Sequence, residues 1–67
     1  MTRIEHIRRK LGISQTALAE MAKVNQSTVS RWERGESEPS LAEARNIVAA
    51  TGGQVQPNDF FDTEAAE

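Results

Sequence analysis

Residues 14–35, SQTALAEMAKVNQSTVSRWERG, decide the fold predicted for this chain. Their larger apolar side chains form two groups with helical spacing, Leu18, Met21 and Ala22 in the first and Val29 and Trp32 in the second. Residues 23–25 separate the groups and leave room only for a tight turn. Ala19 stands where the helices would cross, and its small side chain lets the backbones approach. The stretch therefore predicts two short helices joined by a turn of about 3–4 residues.

The polar residues of the second predicted helix indicate a function. Asn25 is expected to cap its start through the side-chain oxygen, and Gly35 to end it. The side opposite the apolar residues carries a stripe without a carboxylate, formed by Gln26, Ser27, Ser30, Arg31 and Arg34. Amide, hydroxyl and guanidinium groups contact the base edges and phosphates of DNA. The pattern predicts a DNA-binding helix-turn-helix, and a merely solvated face is the alternative.

The polar residues divide into two expected roles on DNA. Four are expected to read base edges in the major groove, Gln26, Ser27, Ser30 and Arg31. Four others are expected to hold phosphates, Gln15, Asn25, Thr28 and Arg34. Arg31 is predicted to be the strongest base reader, because arginine can bond guanine through two donors. A further phosphate contact is the alternative role of Arg31, and solvation of a helix start is the alternative for Gln15.

The same stretch also carries a family resemblance. Its residues are Gln15, Ala19, Val24, Gln26, Ser27, Val29, the run RWERG at 31–35 and the segment EPSL at 38–41. On these residues the chain resembles the Cro/phage-repressor (XRE-type) helix-turn-helix family over residues 3–52. The resemblance implies an all-α, lambda-repressor-like fold of four to five short helices. It also implies a sequence-specific regulator of transcription, a repressor of phage or bacterial type, that binds a double-stranded DNA operator.

Two residues depart from the family pattern. Lys23 occupies the turn position that is often glycine, and a left-handed lysine costs about 1 kcal/mol or somewhat more. Ala22 stands where a larger aliphatic residue is usual. Both departures predict modest stability and leave the fold unchanged.

The resemblance further implies an ion pair between Arg8 and Glu33. In the first predicted helix Arg8 lies one turn from Ile4 and Leu11, which form its apolar stripe, so the arginine would face inward. In the family an arginine at this place pairs with a glutamate near the end of the third helix, here Glu33. Two unrelated surface charges are the alternative.

Length and composition limit the range of functions. Sixty-seven residues without cysteine predict one small domain, with no disulfide and no thiolate metal site. No apolar run approaches a membrane span or a signal peptide, so we expect a cytoplasmic, nucleoid-associated protein. The net charge of −2 is unevenly distributed, with +4 over residues 1–35 and −6 over residues 36–67. The local potential at the motif therefore favours an encounter with DNA.

The remaining elements follow from caps and spacing. Helix 1 is expected over residues 2–11, and a fourth helix is expected to begin after Ser40, with Glu43 completing a capping box. Its predicted buried face is Leu41, Ala44, Ile47, Val48 and Thr51. Pro57 can open a short fifth helix, and residues 54–56 can form an extended edge. The predicted domain spans residues 1–62, followed by a disordered acidic tail over 63–67.

The sequence indicates binding rather than chemistry. No arrangement of nucleophile and base suggests an enzyme, the single histidine cannot form a metal site alone, and no cofactor or small-molecule ligand is evident. A homodimer is expected, formed in solution or only on DNA, with Val55, Phe60 or Phe61 as contact candidates. One phenylalanine is expected to cover the core, and a core role for both is the alternative to a dimer contact. The runner-up function is an antitoxin-like or adaptor module for another protein, and RNA binding is weaker because stacking aromatics are few.

Overall fold

The computed structural model describes residues 2–60, which form four α-helices and a closing 3-10 helix. The elements are α1 (Arg3–Leu11), α2 (Gln15–Ala22), α3 (Gln26–Glu33), α4 (Leu41–Ala50) and the 3-10 helix (Pro57–Phe60). Residues 2–60 contain no strand, so the all-α prediction of four to five short helices is confirmed. Phe61 and the tail predicted over 63–67 lie outside the described residues.

Local side-chain caps determine where three of the α-helices begin. The hydroxyls of Thr2 and Ser14 each accept a hydrogen bond from the backbone N–H three residues on, at 3.3 and 3.1 Å. Ser40 and Glu43 form the predicted capping box, with the Ser40 hydroxyl accepting from the Glu43 N–H at 3.1 Å and the carboxylate accepting from the Ser40 N–H at 2.8 Å. These bonds satisfy N–H groups that have no partner inside the helix.

The start of α3 differs from the sequence prediction. Asn25 precedes the helix in the extended conformation of a cap, but its side chain makes no capping hydrogen bond. The reason is that the N–H of Thr28, the usual target of such a side chain, donates to the Asn25 carbonyl at 3.0 Å instead. The Asn25 side chain is therefore left at the exposed surface of the turn.

The core lies where the helices meet. Its buried members are Ile4, Ile7, Leu18, Ala19, Ala22, Val29, Trp32, Ala44, Ile47, Val55 and Phe60. Helix α2 packs against α3 and α4, α1 packs against α3, and the 3-10 helix closes against α1 and α4. Trp32 is only 3% exposed, which confirms its predicted place in the core, and Phe60 is the phenylalanine that covers it.

Two predictions for the second half of the chain are wrong. Leu41 is 49% exposed, because it is the first residue of α4 and burial of this helix begins one turn later, at Ala44. Residues 54–56 form no strand edge: residues 54 and 55 form a bend, since Val55 turns into the core and no neighbouring strand is available to pair with it within residues 2–60. Val55 and Phe60 are both buried, so neither is accessible for a dimer contact.

The turn between α2 and α3 contains one strained residue. Lys23 has φ +64°, and it is the only non-glycine residue with positive φ between residues 2 and 60. This left-handed conformation lets the Val24 N–H donate back to the Ala19 carbonyl at 3.0 Å, which closes α2 and redirects the chain into α3. The expected strain at Lys23 is therefore built into the geometry that joins the two helices.

Candidate nucleic-acid interface

Helix α3 has one side in the core and one side in solvent. Val29 is fully buried and Trp32 nearly so, which fixes the rotation of the helix about its axis. On the other side Gln26, Ser27 and Arg31 are exposed. The remaining two residues of the predicted contact set on α3, Thr28 and Ser30, are half-buried. Three predicted base readers thus lie on the solvent side of a helix that the core holds in place.

An ion pair ties the end of α3 to α1. Nε of Arg8 lies 2.5 Å from Oε2 of Glu33, and Nη2 donates to Oε1 at 3.3 Å, so the guanidinium holds the carboxylate through two bonds. Its third nitrogen, Nη1, donates to the backbone carbonyl of Ile13 at 3.1 Å. The Arg8 side chain is 19% exposed and that of Glu33 only 7%. The pair is therefore largely withdrawn from water, and a charge-assisted hydrogen bond is stronger in such a site than in water.

The surroundings of Glu33 favour its charged form. Burial raises the pKa of this carboxyl, but hydrogen bonds from Arg8 and Gln15 and the charges of Arg8 and Arg9 outweigh it, so the pKa is lowered overall. The same carboxylate raises the already high pKa of Arg8. Both groups are charged at neutral pH, so the contact between α1 and α3 is ionic.

Gln15 extends this contact toward the exposed edge of α3. Its Nε2 donates to Oε1 of Glu33 at 2.9 Å, and its Oε1 accepts from Nε2 of Gln26 at 2.5 Å. A continuous chain of hydrogen bonds therefore runs from Arg8 through Glu33 and Gln15 to Gln26. The sequence prediction treated Gln15 as a separate phosphate contact and missed this bridge, because the spacing of residues does not show which side chains meet across helices.

The far end of α3 carries a second cluster. Arg34 donates to the carboxylate of Glu36 from Nε at 2.9 Å and from Nη2 at 3.3 Å. Its Nη1 donates to the Ser30 hydroxyl at 2.6 Å. The two partners of this ion pair are 56% and 53% exposed. Arg34, a predicted phosphate contact, is thus bonded to Ser30, a predicted base reader. Glu36 was not predicted from the sequence as their neighbour.

Charge stabilises the Arg34 cluster as well. The hydrogen bond and the charge of Arg34 lower the pKa of the Glu36 carboxyl, and those of Glu36 raise the pKa of the guanidinium. The signal for this pair was present in the sequence, since opposite charges flank a glycine that can adopt a left-handed turn. Gly35 has φ +79° and provides that turn.

Comparison with known proteins agrees with this geometry. A helix-turn-helix family matches residues 4–56 of the 67, and the chain belongs to the Cro/C1-type helix-turn-helix (XRE) family. The motif makes the protein a DNA-binding helix-turn-helix domain. None of the curated proteins and none of the solved structures compared with the chain matches it.

Within residues 2–60, no helix is both long and apolar enough to cross a membrane. Over the same residues, no three histidine, cysteine or acidic side chains come together in a way that could hold a metal ion.

Proposed function

We propose that the protein is a sequence-specific regulator of transcription that inserts α3 into the major groove of an operator. One observation carries this proposal: Gln26, Ser27 and Arg31 are exposed along one side of a helix whose other side is fixed by Val29 and Trp32. A side chain can discriminate bases only when its backbone is held in register with them. The buried side of α3 provides that support.

The base-reading set is proposed to be Gln26, Ser27, Ser30 and Arg31. Gln26 lies at the first turn of α3, the part of a recognition helix that contacts base edges, and its amide can bond adenine through two atoms. Arg31 is exposed on the same side, five residues further along, and can bond guanine. The two long side chains would then specify two different base pairs.

The phosphate-holding set is proposed to be Gln15, Asn25, Thr28 and Arg34. The first three lie at the starts of α2 and α3, where backbone N–H groups favour an anion. The Asn25 amide is not used for capping, so it is available to a phosphate oxygen. Gln15 has a second task in this arrangement, since it also links Glu33 to Gln26.

Selection from a random DNA pool tests the proposed function directly. A regulator should enrich a defined sequence, and its affinity should fall steeply as salt rises, because bound phosphates release counterions. The alternative is an adaptor or antitoxin-like role, which is favoured by the acidic second part of the chain, where the net charge is −6 over residues 36–67. An adaptor without DNA as its target would enrich no sequence and show no salt-dependent binding to duplex DNA.

Substitutions of Arg31 and of Arg34 are expected to change DNA binding in different ways. The Arg31→Ala variant should lose about 1–3 kcal/mol of binding free energy on the selected site and relax the preference at one base position. The Arg34→Ala variant should weaken binding to all sequences alike and reduce the salt slope by at most about one. Titrating both variants on a panel of single-base site variants measures the difference. An Arg31→Ala variant that loses affinity equally on every site would assign Arg31 to a phosphate instead.

The protein is expected to bind its operator as a symmetric dimer. One eight-residue recognition helix reaches few base pairs, so a specific site needs a second copy. The half-sites should lie about 34–36 Å apart, one turn of DNA, and the operator should be nearly palindromic. Footprinting together with the mass of the complex measures this, and one protomer on one half-site at saturation would contradict it. Of the three predicted contact residues, Val55 and Phe60 are excluded by burial, and Phe61 lies outside the described residues.

A further inference from the structure

The chain folds back on itself just after α3. Gly35, at φ +79°, allows its own N–H to donate to the Trp32 carbonyl at 3.1 Å and the Glu36 N–H to donate to the Arg31 carbonyl at 3.0 Å. These two bonds close the end of the helix and return Glu36 to the side of α3 that carries Arg34. The backbone therefore holds Glu36 where its carboxylate can reach the Arg34 guanidinium.

Every nitrogen of the Arg34 guanidinium has a partner in this arrangement. Nε and Nη2 donate to Glu36, and Nη1 donates to the Ser30 hydroxyl. A phosphate oxygen would need the same donors, since a guanidinium binds carboxylate and phosphate with the same planar geometry. Arg34 cannot keep its two-bond contact with Glu36 and present that edge to DNA at the same time.

We infer that Glu36 competes with DNA phosphates for Arg34, and that it thereby lowers the affinity of the protein for DNA of any sequence. This inference rests on the proposed function, because it takes Arg34 as a phosphate contact. Glu36 acts through Arg34, so it is a positioning residue rather than a DNA contact. When Arg34 leaves, the Ser30 hydroxyl also loses its donor and is free to bond a base edge.

The charge left behind strengthens the effect. Once Arg34 has moved to a phosphate, the Glu36 carboxylate loses its hydrogen-bonded partner, and the charge of Arg31 is what remains near it. Beside the DNA backbone this carboxylate repels the phosphates and attracts a cation. That cation offsets one of the counterions that the DNA releases to solution. Glu36 therefore lowers both the affinity for DNA and its salt dependence.

The Glu36→Gln variant tests this inference, with Glu38→Gln as the matched control. Glu38 is an exposed carboxylate on the same loop, and it forms no ion pair in the described part of the chain. Binding to a labelled random-sequence duplex is measured by anisotropy across a salt series. Glu36→Gln should bind about twofold to fivefold more tightly than wild type, as expected for release of an exposed ion pair. Its salt slope should be steeper by up to about one, and Glu38→Gln should change affinity much less.

A double-mutant cycle with Arg34→Gln identifies the mechanism. If Glu36 acts through Arg34, then in the Arg34→Gln background the Glu36→Gln substitution should raise the affinity for DNA no more than Glu38→Gln does. The inference would be overturned if Glu36→Gln and Glu38→Gln raised the affinity for DNA equally. It would also be overturned if the effect of Glu36→Gln on affinity persisted in the Arg34→Gln background. Either result would leave the proposed function intact. Wild-type protein that binds no DNA would overturn the proposed function itself, and the inference with it.

Discussion

The Trp32→Ala variant is expected to lose about 3–5 kcal/mol of unfolding free energy, the usual loss when a buried large aromatic is truncated. Trp32 is 3% exposed and belongs to the core beside Val29 and Phe60, so its removal leaves a cavity where α3 packs against α1. Small domains have only about 5–15 kcal/mol of stability in total, and a 67-residue chain lies toward the lower end. A large fraction of the variant should therefore be unfolded.

Circular dichroism during urea and thermal unfolding measures this loss. The neighbouring Arg31→Ala variant is the matched control, because it shortens an exposed side chain on the same helix and should change stability by less than about 0.5 kcal/mol. A Trp32→Ala variant that melts like wild type would show that the packing of α3 does not depend on this ring.

Breaking the ion pair between Arg8 and Glu33 is expected to have the next largest effect. The Glu33→Leu variant leaves the guanidinium charge in a site where its side chain is only 19% exposed, and it also removes the acceptor for Gln15. We expect a loss of about 2–4 kcal/mol, since an uncompensated charge in a largely buried site is costly. The double variant Arg8→Met with Glu33→Leu should recover most of the unfolding free energy that Glu33→Leu loses, because neither charge then remains.

Urea unfolding of the two single variants and the double variant completes the cycle. The double variant should be more stable than the sum of the single losses predicts, by more than about 1 kcal/mol. Additive losses would mean that the two side chains do not stabilise the fold as a pair, despite their contact distance.

The same pair predicts how stability changes in acid. The pKa of Glu33 is lowered in the folded protein from its ordinary value of 4.5, so the folded state binds this proton less readily than the unfolded chain does. Its contribution to stability is complete above the unfolded pKa and is lost as the pH falls through the lowered folded value. The Glu33→Leu variant should lack this part of the acid-dependent loss, and a series of urea unfolding curves below pH 5 measures it.

Much of the fold could be predicted from local signals. Thr2, Ser14 and Ser40 each precede a helix and cap it, and their bonds reach only three residues along the chain. Apolar spacing likewise identified Val29 and Trp32 as buried, because periodicity records which side of a helix faces its neighbours. Caps and periodicity depend on residues that are close together in the chain, so they can be recognised in a single sequence.

The errors concern features that depend on the rest of the structure. Spacing placed Leu41 in line with Ala44 and Val48, but spacing cannot show that burial begins only at the second turn of α4. Val55 is a single apolar residue between two glutamines, so it had no pattern that could predict its burial. The bridge through Gln15 depends on side chains that meet between helices, which residue spacing does not show. The contact between Arg34 and Glu36 is different, because it joins residues two positions apart and its signal was present in the sequence.

The hydrogen-bond chain that ends at Gln26 has a consequence for the entropy of binding. Glu33 is charged and can only accept, so Gln15 must turn its N–H group toward the carboxylate and its oxygen toward Gln26. Gln26 must then donate, which leaves its own oxygen and its second N–H outward. The amide is thus oriented before any DNA arrives. Ordering a flexible side chain at an interface costs about 0.5–1.5 kcal/mol, and for Gln26 part of that loss of freedom has already occurred when the protein folds.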